Sequence, residues 1–254
     1  MLFTWQDDSG VGAASHQINS SRSSSSSLSA SRTSFSFSSS LLSGAPSHHC
    51  SSSQTPPEDG EHNCMRTHTK CFSGDFAGRT WNSQALFARD AKRHRMKRLH
   101  CLRLLSDVDF VALQETHSTE GAAKLLRLPR HIRAFWSHGT TSVAGIGILL
   151  QESFLSQFHP VSSDDWLEIV PGRAAVLRLD GPQGSLDIVC VYMHTGDAKV
   201  ERARIRDAIR VNLRPPEQCI TVMLGDWNFV REHQERIGLD TASWSGHPDD
   251  AEHE

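Results

Sequence analysis

The chain has 254 residues, enough for one large domain or two small ones. Lysines and arginines number 26 against 29 aspartates and glutamates, so the chain lacks the overall basic charge that many nucleic-acid-binding proteins carry. No apolar run approaches the length of a membrane span. The six cysteines are irregularly spaced, and Cys190 and Cys219 lie in apolar runs where buried free thiols are usual. This pattern argues against a disulfide framework and predicts an intracellular protein of the cytoplasm or nucleus rather than a secreted one.

The first part of the chain is a low-complexity segment dominated by serine. Between Ser9 and Pro57 there is no acidic residue and little apolar surface, so burial cannot offset the loss of chain entropy. We therefore predict that residues 1–75 form a disordered segment and linker, and that a folded domain spans residues 76–254. Serine-rich, acid-poor N-termini also occur in organelle transit peptides, but two early aspartates and the lack of an amphipathic arginine face favour simple disorder.

Two later stretches have the periodicity of helices. In LFARDAKRHRMKRLHCLRLL, apolar residues recur at helical spacing with basic residues on the other faces, which predicts a helix with a solvated basic side; the apolar residues are Met96, Leu99, Leu102 and Leu105. The stretch AKVERARIRDAIRVNL predicts a second helix, with Asp197 as its cap and with Pro215 and Pro216 ending it.

Short apolar or alternating runs predict the strands. In chain order these runs are DFVALQE, IRAFW, SVAGIGILL, GRAAVLRLD, SLDIVCVYM and CITVML. Gly145 and Gly147 leave room for a close neighbour, and the GPQG sequence between the fourth and fifth runs is typical of a hairpin. The succession of helices and strands predicts an α/β domain with at least one sheet built mainly from hairpins.

Polar side chains follow several of these strands where they end. Glu115 follows one strand directly, Tyr192 and His194 follow another, and Asp226 and Asn228 follow a third. Each has an ordinary explanation when taken alone, such as a helix start at QET or a turn at GDWN with the aspartate as capping acceptor. Together and in this order they indicate a site at the carboxyl ends of the strands.

The segments TWNSQAL, DFVALQETH, GIGILL, PGRAAVLRLD, DIVCVYMHTGD and VMLGDWNFV closely resemble the endonuclease/exonuclease/phosphatase family. The resemblance covers roughly residues 80–230, and LQET and GDWN at this separation are its specific motifs. It implies an α/β (α+β) fold in which two β-sheets form a sandwich flanked by helices, with the site along one edge. It also implies a hydrolase that acts on phosphate esters, with nucleic acid or another phosphodiester as substrate and Mg²⁺, or Mn²⁺, as cofactor.

The resemblance implies a role for each residue on the metal and nucleophile side. Glu115 would be the metal ligand, Asn82 would lie at the metal and orient it, and Asp226 would orient or activate water or protonate the leaving oxygen. A hard cation held by a carboxylate offsets the negative charge of a phosphodiester, which otherwise repels nucleophiles. In GDWN, we expect Gly225 to allow a tight turn at the end of the strand and Trp227 to point back into the packing.

The phosphate side of the site is implied in the same way. Asn228 would donate its amide to a phosphate oxygen, and Tyr192 would donate a hydrogen bond to the charge that develops on phosphorus. His194 is a further catalytic candidate, because some branches of the family have a histidine at this strand end. Arg173, in the PGRAAVLRLD segment, is the candidate for binding substrate.

The chain also departs from the family pattern. No Ser-Asp-His triplet, with which the family usually ends, follows Asn228, so we expect the C-terminal part of the domain to be missing. The sequence KCFSGDFAGRTWN lacks the usual apolar run before Asn82, which predicts a poor first strand. Gln84 occupies a position where some nucleases carry an acid.

Several functions therefore stay open from the sequence. The first is metal-dependent hydrolysis of phosphodiesters, with a retroelement-type endonuclease as the first choice among branches. The second is a catalytically inactive relative or fragment that acts as a binding module. A phosphatase-type or sphingomyelinase-type member of the same family is the third.

Overall fold

In the computed structural model, the described part of the chain comprises residues 33–37, 70–87 and 89–228. Its strands are β1 (Thr33–Phe37), β2 (Phe76–Asn82), β3 (Phe110–Gln114), β4 (Ile132–Ser137), β5 (Ile146–Gln151), β6 (Trp166–Val170), β7 (Ala174–Gly181), β8 (Gly184–Tyr192) and β9 (Ile220–Asp226). Its helices are α1 (Ala91–Leu105), α2 (Glu120–Leu125), α3 (Glu152–Leu155) and α4 (Lys199–Asn212). None of these helices is long and apolar enough to cross a membrane.

The strands form two mixed sheets. The first has the order β1-β2-β3-β5-β4, and the second has the order β6-β7-β8-β9. Each sheet contains one parallel pair, β2 with β3 and β8 with β9, and the remaining neighbours are antiparallel. A parallel pair needs a crossover connection, which α1 provides in the first sheet and α4 in the second.

Both faces of the central strands are buried, which explains their nearly continuous apolar sequences. Along β3, Phe110 and Ala112 point to the core between the two sheets, whereas Val111 and Leu113 pack in a second core that includes residues of α1. The same alternation along β8 separates the central core from a third core shared with α4. The predicted sandwich of two sheets flanked by helices is therefore confirmed, as is the placement of β8 and β9 in one sheet.

The buried face of α1 differs from the prediction. Met96 is 61% exposed and Leu99 is 46% exposed, although both belong to the predicted apolar stripe. The residues that α1 buries are Cys101, Leu104 and Leu105, in its second half. The reason is that residues spaced by three fall short of one helical turn at each step, so Met96 and Leu99 point away from the face that Cys101, Leu104 and Leu105 bury.

The start of α4 also differs from the prediction. The N-cap residue is Ala198, and no side chain caps this end of the helix. Asp197 is exposed and precedes the cap position, so its expected role as the cap is wrong. The end of the helix at Asn212 lies before the two prolines, as predicted.

The N-terminal part of the domain departs from the sequence-based expectation in two ways. Thr33–Phe37 lies in the segment predicted to be disordered, yet these five residues form β1 and pair with β2. The domain also begins before residue 76, because Phe72 is buried in the central core and its N–H donates to the carbonyl of Ser185. The other residues of 1–69 lie outside the described part of the chain.

The predicted weakness of the first strand is also wrong. β2 forms over seven residues despite its short apolar run, because β1 and β3 supply backbone partners on both sides. Its single basic side chain is accommodated at the surface, where Arg79 forms a 2.6 Å ion pair with Asp107. Backbone pairing thus replaces the apolar sequence that we expected at this position.

Gly225 has a different function from the predicted one. It lies inside β9, opposite Val191 of β8, and not in a turn beyond the strand. A Cβ atom at this position would overlap the backbone carbonyl of Val191. The glycine is therefore required for the close approach of two strands.

We predict that Gly225→Ala lowers the free energy of unfolding by about 1–3 kcal/mol, because the added methyl group cannot be accommodated without moving a paired strand. Urea unfolding followed by tryptophan fluorescence measures the change. Gly121→Ala is the control, since open space surrounds Gly121 in α2 and alanine favours helix by about 1 kcal/mol. A Gly225→Ala protein as stable as the parent would contradict the close approach of β8 and β9.

Candidate active site

The candidate site lies where the two parallel strand pairs end. In the first sheet Asn82 is paired with Gln114, and in the second sheet Tyr192 is paired with Asp226. Parallel strands place their carboxyl ends at one edge of a sheet, so each pair delivers two polar residues to its edge. The side chains of Asn82 and Asp226 are in contact, which brings the two edges together.

Two N–H groups hold the carboxylate of Asp226. The Nδ2 of Asn82 donates to Oδ2 of Asp226 at 2.6 Å, and the backbone N–H of Asn228 donates to Oδ1 at 3.1 Å. The Oδ1 of Asn82 in turn accepts from the backbone N–H of Gln84 at 3.1 Å. The orientation of Asp226 therefore depends on a residue 144 positions away in the sequence.

The side chain of Asn228 makes a contact within the protein that the sequence did not indicate. Its Nδ2 donates to the carbonyl of Met193 at 2.8 Å, in the loop that follows β8. The backbone N–H of Met193 donates to the carbonyl of Asp226 at 2.9 Å. Asn228 thus joins the loops that follow β8 and β9, and one of its two amide hydrogens is used in that contact.

Glu115, Tyr192 and Arg173 form a second group at the same edge. The hydroxyl of Tyr192 donates to Oε1 of Glu115 at 3.0 Å, which is a second link between the two sheets. The guanidinium of Arg173 lies over the Tyr192 ring, 4.6 Å from its centre, and its Nη1 donates to the carbonyl of Met193 at 3.3 Å. A cation over an aromatic face is an attractive contact.

The surroundings of Tyr192 keep its hydroxyl protonated. Burial is the main cause, followed by the negative charge of Glu115, and together they raise the pKa of Tyr192 to about 12, with a smaller contribution from Asp226 in the same direction. Arg173 acts against this shift. Near neutral pH the phenol is therefore a hydrogen-bond donor.

The floor of the site is polar and joins the two sheets. Gln114 is buried, its Oε1 accepts from the hydroxyl of Thr80 at 3.0 Å, and its Nε2 donates to Sγ of Cys190 at 3.4 Å. Because Gln114 precedes Glu115, this contact fixes the strand end from which Glu115 projects. The LQET sequence contained this residue, but nothing in its pattern indicated a link to Cys190.

The loops around the site contain strained backbone. Six non-glycine residues among the described residues have positive φ, and all lie in loops at this edge: Gln84, Ala85, Glu115, His117, Ala144 and Asn228. Glu115 itself has φ of 54°. A non-glycine residue in this region costs on the order of 1–3 kcal/mol and persists only where its surroundings hold it.

A cation from α1 holds the loop after β2. The Nζ of Lys97 donates to the carbonyl of Ser83 at 2.6 Å and also to the carbonyl of Gln84. Burial and the nearby Arg93 lower the pKa of Lys97 to about 8, while Glu115 acts in the opposite direction. The sequence pattern assigned this lysine to a solvated face, so its contact with the loop was missed.

A cation from α4 holds the loop after β8 in the same manner. Arg202 is only 2% exposed, and its Nη1 donates to the carbonyl of Gly196 at 2.7 Å and to that of His194 at 3.3 Å. In both sheets, therefore, the crossover helix returns a basic side chain to the loop that precedes it. No sequence signal distinguished Arg202 from the other arginines of the helix.

The two histidines near the site lie beside these groups. Burial lowers the pKa of His194, and Arg173 lowers it further, while Glu201 acts in the opposite direction. The hydrogen bonds to Asp226 and Glu115 described above do not involve His194. Burial also lowers the pKa of His117, which Glu115 opposes. His117 lies two residues beyond Glu115 in QETH and was missed as a site residue.

A sequence profile described as the Endonuclease/Exonuclease/phosphatase family matches residues 80–249. No match was found among curated proteins. The solved structures that resemble the chain include AP endonuclease LMAP from Leishmania major (15% identity, 63% of this chain, 57% of that chain, TM-score 0.48). They also include a humanized TDP2 of D. rerio (17% identity, 59% of this chain, 61% of that chain, TM-score 0.43). A third is the 3′–5′ exonuclease NExo from Neisseria meningitidis (17% identity, 68% of this chain, 66% of that chain, TM-score 0.44). The chain thus spans less than two thirds of the length of these proteins.

We predict that Lys97→Met increases amide hydrogen exchange in residues 83–87 several-fold or more, because two loop carbonyls lose their charged donor. Loss of hydrogen bonds to a charged group should also lower the free energy of unfolding by about 1–3 kcal/mol. Exchange measured by mass spectrometry, with Lys92→Met as the control on the exposed side of α1, tests this. Equal exchange in the two variants would show that Lys97 does not restrain the loop.

Proposed function

Because the chain belongs to the endonuclease/exonuclease/phosphatase family, we propose that it hydrolyses phosphodiester bonds with a divalent metal ion, and that nucleic acid is its substrate class. The observation that carries the proposal is the meeting of two carboxylates, an amide and a protonated phenol at one edge of the sandwich: Glu115, Asp226, Asn82 and Tyr192. They come from four strand ends in two sheets. Strained backbone conformations cluster at active sites and ligand-binding loops, and their presence at this edge supports the proposal.

The donor set fits magnesium better than it fits zinc or calcium. The described residues contain no cluster of three or more histidine, cysteine, aspartate or glutamate side chains that could hold a metal ion. Mg²⁺ is usually bound through one or two carboxylates together with waters and substrate phosphates, so it does not require such a cluster. We propose Glu115 as its main ligand, with Asn82 beside it; Mn²⁺ is a substitute of similar chemistry. When bound, the ion neutralises phosphate charge and polarises the P–O bond.

Asp226 is the residue proposed to act on the nucleophile or the leaving group. Its two oxygens are held by Asn82 and by the backbone of Asn228, so its carboxylate has one orientation. A carboxylate fixed in this way can orient a water molecule for attack, because positioning of reactants supplies a large part of catalysis. Asn82 also acts through Asp226, in addition to its proposed place beside the metal.

Tyr192 and Arg173 are proposed to stabilise the charge that develops on the phosphoryl group. The phenol stays protonated near neutral pH and is therefore available as a donor when its contact with Glu115 is exchanged for substrate. Arg173 stacks on its ring and adds positive charge. Removing one preorganised donor of this kind lowers the rate by about 10²–10³-fold.

Two finer assignments stay predictions. The first is the branch of the family, for which the sequence favours a retroelement-type endonuclease. The inactive relative that serves as a binding module is the alternative function. A panel of phosphate esters distinguishes them, since an endonuclease nicks circular DNA, a phosphatase releases inorganic phosphate, and a binding module does neither.

Metal binding tests the first half of the proposal. Calorimetric titration of the protein with Mg²⁺ should give a binding heat that is lost in Glu115→Gln, because the amide removes the negative charge without changing the size of the side chain. Glu120→Gln is the matched control, since Glu120 is an exposed acid of α2 paired with Lys124. Heat that persists in Glu115→Gln and disappears in another acid variant would place the metal elsewhere.

Activity tests the second half. With Mg²⁺ present, Asp226→Asn should reduce cleavage of plasmid DNA and of an abasic-site oligonucleotide by about 10²–10⁴-fold, as expected when a group that acts on the proton or nucleophile is lost. Tyr192→Phe should reduce it by about 10²–10³-fold. Normal metal binding without cleavage in the parent chain would support the binding-module alternative instead.

A further inference from the structure

Helix α1 concentrates positive charge in a chain that is otherwise acidic. Its 15 residues contain six of the 26 lysines and arginines of the chain and none of its 29 aspartates and glutamates. A helix face that is only solvated normally carries both signs. Helix α4 shows the ordinary case, because its basic residues alternate with Glu201 and Asp207.

The charges of α1 are available to a ligand. Lys92, Arg93 and Arg95 are exposed, and we call them the basic surface of α1. Within residues 33–37, 70–87 and 89–228, none of the ion pairs involves these three side chains. By contrast, Arg210 of α4 pairs with Asp207. The basic surface therefore has no internal role in the described fold.

The basic surface adjoins the candidate site through Arg93. Lys97, one turn after Arg93, contacts the loop that begins immediately after Asn82, and it lies near enough to Glu115 to feel its charge. After burial, Arg93 is the next cause of the lowered pKa of Lys97, because two positive charges one turn apart on the helix repel one another. An anion that binds between or beside two such cations reduces the repulsion between them.

We propose that the basic surface of α1 binds the phosphodiester backbone of a nucleic-acid strand on one side of the scissile phosphate. This inference rests on the proposed function and adds to it the surface that holds the nucleic-acid strand beside the site. The three residues lie within one turn at the start of the helix, so the surface contacts phosphates next to the site and not a long stretch of backbone. Backbone contacts position a strand without reading its sequence, so the surface contributes affinity and register rather than specificity.

Equilibrium binding tests the surface without requiring activity. The double variant Arg93→Ala and Arg95→Ala removes two charges and keeps a good helix former at each position. Fluorescence anisotropy with a labelled 20-nucleotide single-stranded DNA or RNA, in EDTA so that no cleavage occurs, should show a loss in affinity of about tenfold or more at 0.1 M salt. The slope of log affinity against log salt should fall by about 1.4, because two phosphate contacts to a single strand are lost.

A matched control separates this surface from general charge. Arg204→Ala and Arg210→Ala removes two exposed arginines from α4 and should leave the affinity and the salt slope unchanged. Equal losses in the two double variants would overturn the proposal, as would unchanged binding in the α1 variant. Binding to vesicles of phosphatidylcholine with phosphatidylserine is a further measurement. Binding to these vesicles that depends on Arg93 and Arg95, without binding to oligonucleotides, would assign the surface to a membrane and overturn the proposal.

A rate comparison keeps this test apart from that of the catalytic site. With Mg²⁺, the α1 variant should show a turnover ratio of oligonucleotide to bis(p-nitrophenyl) phosphate at least about tenfold below that of the parent. If the parent hydrolyses neither substrate but the α1 variant loses oligonucleotide binding, the proposed function fails and the surface stands. If the parent hydrolyses both and the ratio is unchanged in the variant, the surface fails and the proposed function stands.

Discussion

The parallel pairing of β2 with β3 and of β8 with β9 is the constraint on which the candidate site depends. A parallel pair places two carboxyl ends side by side, and packing the two sheets face to face brings both pairs to one edge. The contacts from Asn82 to Asp226 and from Tyr192 to Glu115 then join the sheets at that edge. Without the two crossovers, these four side chains would lie at separate ends of antiparallel hairpins.

The crossover helices have a second function beyond covering the sheets. Each returns one cation to the loop that precedes it, Lys97 to the loop after β2 and Arg202 to the loop after β8. Charged donors on backbone carbonyls give stronger hydrogen bonds than neutral ones, and they hold loops that contain left-handed residues. The strain at the site and the cations beside it therefore belong to one arrangement, in which packing of the helices supports the conformation of the loops.

Charge is distributed unevenly in a chain whose total is close to neutral. The carboxylates of Glu115 and Asp226 lie at the site edge, and the acid-free helix α1 begins near the same edge. Such a separation of negative and positive charge suits a substrate that carries several phosphates. The carboxylates can hold a metal cation at one phosphate, and the other phosphates can contact lysine and arginine. Net charge alone, which argued against nucleic-acid binding, does not report this local separation.

The fold class and most of the helices and strands could be predicted from the amino-acid sequence. Continuous apolar runs such as those of β3 and β8 predict strands with both faces buried. Packing alone did not explain the polar residues that follow these runs. Family membership followed from the LQET and GDWN motifs. The same local patterns also placed Glu115, Tyr192 and Asp226 at strand ends, because strand length and polarity are readable over a few residues.

The contacts among these residues, and the other residues that join them, became visible only in the folded chain. Asn82 holds Asp226 from a different sheet, Asn228 binds a loop carbonyl, and Gly225 permits strand contact rather than a turn. Lys97 and Arg202 have no distinguishing sequence context, since their partners are backbone carbonyls that every residue carries. β2 likewise formed against its sequence pattern, because hydrogen bonds from neighbouring strands stabilised a segment that its own apolar content did not predict. Contacts of this kind depend on the position of the whole backbone, which no short window of sequence contains.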